Sequence, residues 1–180
     1  MRRIGLIGGE CSGKSTLAQD LGRVLDACVV PERLRAFVDE AGRNPVESEQ
    51  RGIMLDQQAA EDAAALTCPS GIVIADSAPL MIAVYSVAYF DDDSLIGPAV
   101  ELARGYDLML WCDIDLPWVA DGIQRDGPEV REREHGIIAS IVRHDLADAG
   151  IAVELVSGQR PDRAEAAGRA WQLLGLREPT

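Results

Sequence analysis

The strongest structural signal in this chain is the segment Ile7-Gly8-Gly9-Glu10-Cys11-Ser12-Gly13-Lys14-Ser15-Thr16. It contains the pattern Gly-x-x-x-x-Gly-Lys-Ser, which is typical of a phosphate-binding loop between a strand and a helix. A chance match in a chain of this length has a probability of about 1%. Lys14 is the only lysine among the 17 basic residues, and a compact ammonium suits this position better than a planar guanidinium. The stretch therefore predicts a bound nucleoside triphosphate.

The whole loop is predicted to bind ATP together with Mg²⁺. Its glycines let successive backbone N–H groups point inward, and the following helix adds the positive end of its dipole. Lys14 is also predicted to be catalytic because its ammonium reaches the β- and γ-phosphates, while the Ser15 hydroxyl is predicted to bind Mg²⁺. The alternative is a glycine-rich turn with a solvated lysine. The predicted cofactor-binding residues are Gly8, Gly9, Glu10, Cys11, Ser12, Gly13, Lys14, Ser15 and Thr16.

Strand-sized apolar runs alternate with helical patterns along the rest of the chain. Such alternation is typical of a parallel sheet with helical crossovers. The runs are continuously apolar, as expected for strands that are buried on both faces. We predict a single domain over residues 1–180 with an α/β, three-layer P-loop NTPase fold, a parallel sheet of about five strands and a helical lid at 118–135. The predicted strands are 3–8, 28–31, 72–76, 107–113 and 152–156.

Composition and charge exclude several classes of partner. The chain is 47% hydrophobic and 26% charged, which is ordinary for a soluble globular protein, and its apolar runs are too short to span a membrane. A net charge of −13 provides no basic footprint for nucleic acid or for an anionic membrane. Composition leaves the oligomeric state open.

The cysteines and the N-terminus concern the cellular compartment. The four cysteines are widely spaced without a Cys-x-x-Cys pair, and the chain has two histidines, so we expect reduced thiols and no zinc site. The first residues become polar too soon for a secretory signal. A cytoplasmic location is therefore predicted.

Charged residues follow two of the predicted strands, at the edge of the sheet where ligands gather in open parallel sheets. Glu32 and Arg35 come just after 28–31 and can face one cleft, where they are predicted to bind the acceptor. Asp76 ends 72–76 and is predicted to hold Mg²⁺ or to contact the acceptor hydroxyl. Either Glu32 or Asp76 is predicted to be the general base. The alternatives are a helix N-cap for Asp76 and a helix-dipole partner for Glu32.

The candidate lid carries arginines that can neutralise charge on the transferring phosphoryl group. Arg131 and Arg133 are two residues apart, about 200° around a helix, so both cannot reach one phosphate. Arg133 can also pair with Glu129 at i,i+4. Arg125 is therefore the first candidate for a catalytic lid arginine and Arg131 the second; a structural role is the alternative for each.

Several classes of P-loop protein do not fit the sequence. A typical GTPase has an Asn-Lys-x-Asp motif, and an ABC ATPase has a Leu-Ser-Gly-Gly-Gln signature, but neither is present. The chain is also short for an AAA+ module. A small single-domain kinase is what remains.

Five blocks carry a resemblance to a known family: "GGECSGKSTLAQDL" (8–21), "VPERLR" (30–35), "IADS" (74–77), "YSVAYF" (85–90) and "YDLMLWCDIDLPWVADG" (106–122). Together they resemble the ribosylnicotinamide kinase domain of NadR-type proteins over about residues 4–158. The resemblance implies ATP-dependent phosphorylation of nicotinamide riboside, a step of NAD biosynthesis, and it implies acceptor binding by Trp118 and Asp121. No adenylyltransferase domain is expected before the kinase blocks.

The chain departs from the family's pattern near the expected acceptor. Arg33 stands where the family usually has tyrosine, and Gln124 stands where it usually has arginine. Because nicotinamide riboside is cationic, a positive charge at Arg33 is expected to weaken selectivity for it. The alternative functions are another small-molecule or nucleotide kinase, and a non-kinase ATPase or nucleotide switch that acts through a partner protein.

Overall fold

The computed structural model describes residues 1–119 and 127–173. Five strands form one sheet in the order β2-β3-β1-β4-β5, and every neighbouring pair is parallel. This confirms the predicted α/β fold and its parallel sheet of about five strands. The strands are β1 (Arg2–Ile7), β2 (Cys28–Pro31), β3 (Ile72–Asp76), β4 (Leu108–Cys112) and β5 (Val153–Val156).

Helices cover both faces of the sheet. They are α1 (Lys14–Val24), α2 (Arg33–Ala41), α3 (Glu47–Thr67), α4 (Leu80–Phe90), α5 (Ile96–Ala103), α6 (Pro128–Ile141) and α7 (Arg160–Leu173). A π-helical turn, Val142–Leu146, continues α6. On one face Leu6 packs in a cluster with residues of α1; on the other Ile7 packs with α3, α4, α5 and α6. The predicted three layers are therefore present.

The register of the sheet brings three strand ends together. Asp76 at the end of β3 lies opposite Leu6 of β1 on one side and opposite Pro31 of β2 on the other. The loop that follows β1 and the residues that follow β2 therefore leave the sheet beside Asp76. This edge carries the candidate site.

The expectation of four reduced thiols is wrong for two of them. Cys28 and Cys68 form a disulfide with their Cα atoms 5.9 Å apart, whereas Cys11 and Cys112 are free. Cys28 begins β2, and Cys68 follows α3 just before β3. Because β2 and β3 pair in the sheet, the fold brings together two cysteines that lie 40 residues apart in the sequence.

No helix in the two described ranges combines the length and the hydropathy that a membrane span requires.

Candidate nucleotide and acceptor site

The loop between β1 and α1 has a backbone that requires glycine at two positions. A Cβ atom on Gly8 would lie 2.7 Å from the Cys112 carbonyl oxygen, and Gly13 has a φ of 81°, in the left-handed region that favours glycine. No side chain caps the N-terminus of α1, which begins at Lys14. The N–H groups of its first turn are therefore available to an anion.

Lys14 bridges the two ends of this loop. Its Nζ donates hydrogen bonds to the carbonyl oxygens of Gly8, at 2.6 Å, and Gly9, at 3.1 Å. The side chain is half-buried and lines the cavity beside the loop. Its ammonium is thus held at the loop and has no carboxylate partner among the described residues. It is therefore available to bind a phosphate group.

Arg163 of α7 supports the loop from behind, and the sequence analysis missed it. Its side chain is 3% exposed and donates to the carbonyl oxygens of Ser12, at 2.7 Å, and Asp113, at 3.1 Å. It also pairs with the Asp115 carboxylate. These bonds tie the phosphate-binding loop to the end of β4, but no local pattern around Arg163 indicates them.

Glu134 of α6 contacts the loop from the lid side and was also missed. The residue is 0% exposed, and its Oε2 accepts a hydrogen bond from the Glu10 N–H at 3.2 Å. Burial raises the pKa of Glu134 from its usual 4.5 to about 7, although the positive charge of Lys14 opposes the shift. A signal for this burial exists in the sequence, because Glu134 lies four residues before Ile138 on the buried face of the helix.

One cavity of about 640 Å³ connects the loop with the predicted acceptor residues. Glu10, Lys14 and their loop neighbours line one side of it, and Glu32 and Arg35 of the α2 region line another. The remaining lining residues come from α2, α3, α4, α6 and the two connecting segments: Leu34, Val38, Asn44, Pro45, Gln50, Tyr85, Tyr89, Phe90, Leu116, Pro117, Val119 and Glu134. The structure thus places the loop, Glu32 and Arg35 around one cavity.

Glu32 is oriented by two hydroxyl groups. Its Oε1 accepts hydrogen bonds from Ser77 Oγ, at 3.4 Å, and from the Tyr85 hydroxyl, at 3.3 Å. Burial raises the pKa of Tyr85 well above its usual 10.0, and the negative charge of Glu32 adds to the shift, so the phenol remains a donor. Glu32 is also the N-cap residue of α2, but its side chain is bonded toward β3 and α4.

Asp76 lies at the sheet edge but does not line the cavity. It is half-buried and makes no side-chain hydrogen bond to a described residue. The N-cap of α4 is Pro79, without a side-chain cap, so the alternative role of Asp76 as a cap is wrong. Asp76 and Lys14 both act electrostatically on the buried Cys112, whose pKa is raised to about 11 chiefly by burial.

The residues at this edge fit Mg²⁺. Ser15 and Asp76 offer a hydroxyl and a carboxylate, which are hard oxygen donors, and Mg²⁺ takes its other ligands from phosphates and water. Within 1–119 and 127–173, no three His, Cys, Asp or Glu side chains form a metal-binding group. The described side chains therefore do not form a complete Mg²⁺ site by themselves. Ser15 and Asp76 allow a Mg²⁺ ion that is also bound by a nucleotide.

The predicted lid residues divide into two groups. Asp121 and Arg125 lie outside the described residues. Trp118 is half-buried and Arg131 donates from Nη1 to the Leu116 carbonyl oxygen at 2.8 Å; neither lines the cavity. In this structure Arg131 therefore fastens α6 to the segment after β4.

Arg33 does not meet the expectation that was based on its charge. Its side chain is exposed and does not line the cavity, so the repulsion expected against a cationic acceptor has no geometric basis. The aromatic groups that the sequence lacks at this position come instead from α4, where Tyr85, Tyr89 and Phe90 line the cavity.

A parallel sheet with a glycine-rich phosphate loop after its first strand defines the class of P-loop nucleotide-binding proteins. Within that class, the family described as an AAA domain matches residues 3–163, and the chain belongs to this family. The exclusion of an AAA module on chain length is therefore wrong. No curated protein matches the chain.

The chain is also similar to solved structures of kinase fold. Two structures of a NadR protein, one in complex with NAD and AMP-PNP and one with NR, each match at 17% identity over 99% of this chain, with TM-scores of 0.73 and 0.76. This chain covers 51% and 52% of those chains, so it spans about half their length.

Two structures described as kinases also match, over nearly their whole length. Deoxyadenosine kinase from M. mycoides with bound dATP matches at 12% identity and a TM-score of 0.63, covering 96% of this chain and all of that one. Shikimate kinase from Acinetobacter baumannii in complex with shikimate matches at 12% identity and a TM-score of 0.53, covering 97% and 94%. At these identities the likeness shows the P-loop kinase fold.

Proposed function

We propose that this protein is an ATP-dependent kinase that transfers the γ-phosphoryl group to a small nucleoside-like acceptor, with nicotinamide riboside as the leading candidate. One observation carries the proposal: the phosphate-binding loop and the polar residues after β2 line a single cavity of about 640 Å³. A cavity of that size holds a small molecule beside a nucleotide's terminal phosphate. The kinase fold of the solved neighbours supports the same reaction.

The loop residues of this chain would bind the ATP phosphates. Backbone N–H groups at the start of α1 and the Lys14 ammonium would stabilise negative charge on the β- and γ-phosphates. Mg²⁺, bound through Ser15 and Asp76, would neutralise further phosphate charge. Arg125 and Arg131 remain the candidates for a lid arginine.

Glu32 is the better supported candidate for the general base. It lines the cavity, and Ser77 and Tyr85 hold its carboxylate in place, whereas Asp76 lies beside the loop. A carboxylate fixed next to the phosphoryl group can accept the proton of an acceptor hydroxyl. Arg35 would bind the hydroxylated sugar with Glu32, and Trp118 and Asp121 are further candidates for acceptor binding.

A kinase for another nucleoside is the second candidate. The deoxyadenosine kinase of M. mycoides matches this chain over its whole length, whereas the NadR chains are about twice as long. A role in NAD biosynthesis belongs to the first candidate alone. A cytoplasmic location is part of the same proposal, but the Cys28–Cys68 disulfide argues against it, because disulfides are rare in cytosolic proteins.

The experiment is a panel of acceptors incubated with the protein, ATP and Mg²⁺ and analysed by mass spectrometry. The panel contains nicotinamide riboside, deoxyadenosine, other nucleosides and shikimate. We expect a gain of one phosphate on at least one nucleoside and none with Lys14→Ala. Phosphorylation of shikimate alone would contradict the nucleoside-like acceptor, and no phosphorylated product at all would contradict the kinase assignment.

A further inference from the structure

Gln50 of α3 is a buried polar side chain with an unused hydrogen-bonding group. It is 2% exposed and lines the cavity, and its Oε1 has no hydrogen-bond partner among the described residues. Burying an amide oxygen without a partner costs about 1–3 kcal/mol, so such groups are rare in folded proteins. A ligand in the cavity that Gln50 lines is a candidate partner for this amide.

The neighbours of Gln50 in the cavity are aromatic and apolar. Tyr85, Tyr89 and Phe90 of α4 line it, and α4 packs against α3. Val38 of α2 adds an aliphatic surface. Aromatic side chains bind planar rings by offset or edge contacts, and a few polar groups in an apolar pocket fix the orientation of a ligand.

The charges of the cavity disfavour an acidic acceptor. Among the described lining residues, three carboxylates (Glu10, Glu32 and Glu134) outnumber two cations (Lys14 and Arg35). Lys14 is bonded within the phosphate-binding loop, so Arg35 is the cation that remains for the acceptor side. A carboxylate on the acceptor would be repelled by the excess of carboxylates that line the cavity, whereas a neutral or cationic ring would not.

We propose that Gln50 is a specificity-determining residue that binds the polar edge of a planar heteroaromatic ring on the acceptor. The ring carries a hydrogen-bond donor next to an acceptor, as in a primary carboxamide or an amino group beside a ring nitrogen. A glutamine amide offers one acceptor oxygen and one NH₂ donor, which complements such an edge. The inference rests on the proposed kinase function, and it names the class of acceptor.

Two matched pairs of acceptors test the proposal and distinguish the two sources of this edge. The first pair is nicotinamide riboside and 3-acetylpyridine riboside, which have the same charge; the second compound has a methyl ketone in place of the carboxamide and therefore lacks the NH₂ donor. The second is deoxyadenosine and the deoxyriboside of unsubstituted purine, which differ in the amino group. A site that uses a polar contact rejects the analogue lacking it by about tenfold or more in kcat/KM, so the wild-type protein is expected to prefer the first member of at least one pair.

Gln50→Met keeps the length of the side chain and removes both polar groups. We expect it to bring the preferred pair to within about threefold of each other in kcat/KM, since the contact that separates them is lost. The KM for ATP should not change. Gln58→Met is the matched control, because Gln58 lies on the same helix, bonds to Asp62 and does not line the cavity; it should keep the preference.

Calorimetric binding of the same pairs, in the presence of a non-hydrolysable ATP analogue, separates this inference from the proposed function. A binding preference that collapses in Gln50→Met without phosphorylation in the wild type keeps the ring-edge site and overturns the kinase. Phosphorylation with an unchanged preference in Gln50→Met overturns the inference alone.

If Gln50→Met does not fold, Gln50→Glu replaces it, and an undiminished preference for the donor–acceptor edge in that variant contradicts the proposal. Absence of a preference within both pairs in the wild type contradicts it as well.

Discussion

Lys14 and Asp76 stand at the same edge of the sheet but serve the site in different ways. The Lys14 ammonium is bonded across the phosphate-binding loop, and its removal leaves no cavity in the core clusters. Asp76 ends a buried strand beside that loop. Both side chains can therefore be changed with more effect on chemistry than on folding.

Lys14→Ala is expected to abolish phosphoryl transfer and to preserve the fold. The substitution removes a positive charge that would stabilise the transition state of γ-phosphoryl transfer. Circular dichroism and thermal unfolding check the fold, and product formation checks the activity. A variant that retains activity within about tenfold of the wild type, equivalent to about 1.4 kcal/mol of barrier, would show that Lys14 does not stabilise the transition state.

Asp76→Asn is expected to lower turnover much more than it weakens metal-free ATP binding. The substitution keeps the shape of the side chain but removes the charge that would hold Mg²⁺. Measurements of kcat and of ATP binding with and without Mg²⁺ separate the two effects. A variant that loses stability and keeps its kcat would assign Asp76 a purely structural role.

At the scale of elements, α3 does more than cover the sheet. Its Gln57 accepts the Arg33 N–H at the start of α2 at 2.9 Å and donates to Glu61 at 3.1 Å. The Tyr106 hydroxyl, from the segment before β4, donates to the other oxygen of Glu61 at 2.6 Å. A buried polar network in α3 therefore holds the start of α2 and the segment before β4 in place. Burial disfavours the charged form of the Glu61 carboxylate in this network.

This burial makes the stability of the protein depend on pH. Burial raises the pKa of Glu61 from its usual 4.5 to about 7, although hydrogen bonds from Tyr106 and Gln57 oppose the shift. Between pH 4.5 and 7, the folded state binds a proton that the unfolded state has released, so the free energy of unfolding falls as pH rises. The pKa of Glu134 is also raised to about 7. Glu134 therefore contributes a second decrease in the free energy of unfolding as pH rises.

Glu61→Gln is expected to remove the Glu61 share of this dependence. Relative to the wild type, the variant should gain up to about 3 kcal/mol in the free energy of unfolding between pH 5 and pH 8, because it has no charge to bury. Urea denaturation at the two pH values measures the change. A difference between the two proteins that is equal at pH 5 and pH 8 would contradict the raised pKa.

At the scale of the whole molecule, the parts that sequence predicts are those encoded locally. The glycine–lysine–serine pattern and the alternating apolar runs each lie within a short window, and they specify the loop, the parallel sheet and the bounds of 28–31 and 72–76. Glu32 and Arg35 could be placed because they follow a strand. The family resemblance pointed to the same fold.

The parts that sequence does not predict depend on contacts between distant segments. Arg163 reaches Ser12 from the other end of the chain, and the disulfide joins Cys28 and Cys68 through the pairing of β2 with β3. The aromatic side of the cavity comes from α4, whereas comparison with the family's sequence pattern pointed to position 33, where this chain has arginine. No window of sequence contains both partners of any of these contacts.

The disulfide gives a prediction for the chain as a whole. A bond that closes a loop of 40 residues restricts the unfolded chain and is worth about 4 kcal/mol in the chain-entropy account. Dithiothreitol should therefore lower the free energy of unfolding of the wild type and leave a Cys28→Ala, Cys68→Ala variant unchanged. Labelling of unfolded, unreduced protein should find two free thiols; four would contradict the bond.

Measuring ADP and phosphorylated acceptor in one reaction shows whether this cavity transfers phosphate from a nucleotide to an acceptor. Nicotinamide riboside and deoxyadenosine are each added to the wild-type protein with Mg²⁺ and ATP. We expect ADP formation to rise at least about tenfold with an acceptor, a barrier difference of about 1.4 kcal/mol, and to equal the phosphorylated product mole for mole. ADP that forms at the same rate without an acceptor, together with free phosphate, would contradict the claim and identify an ATPase.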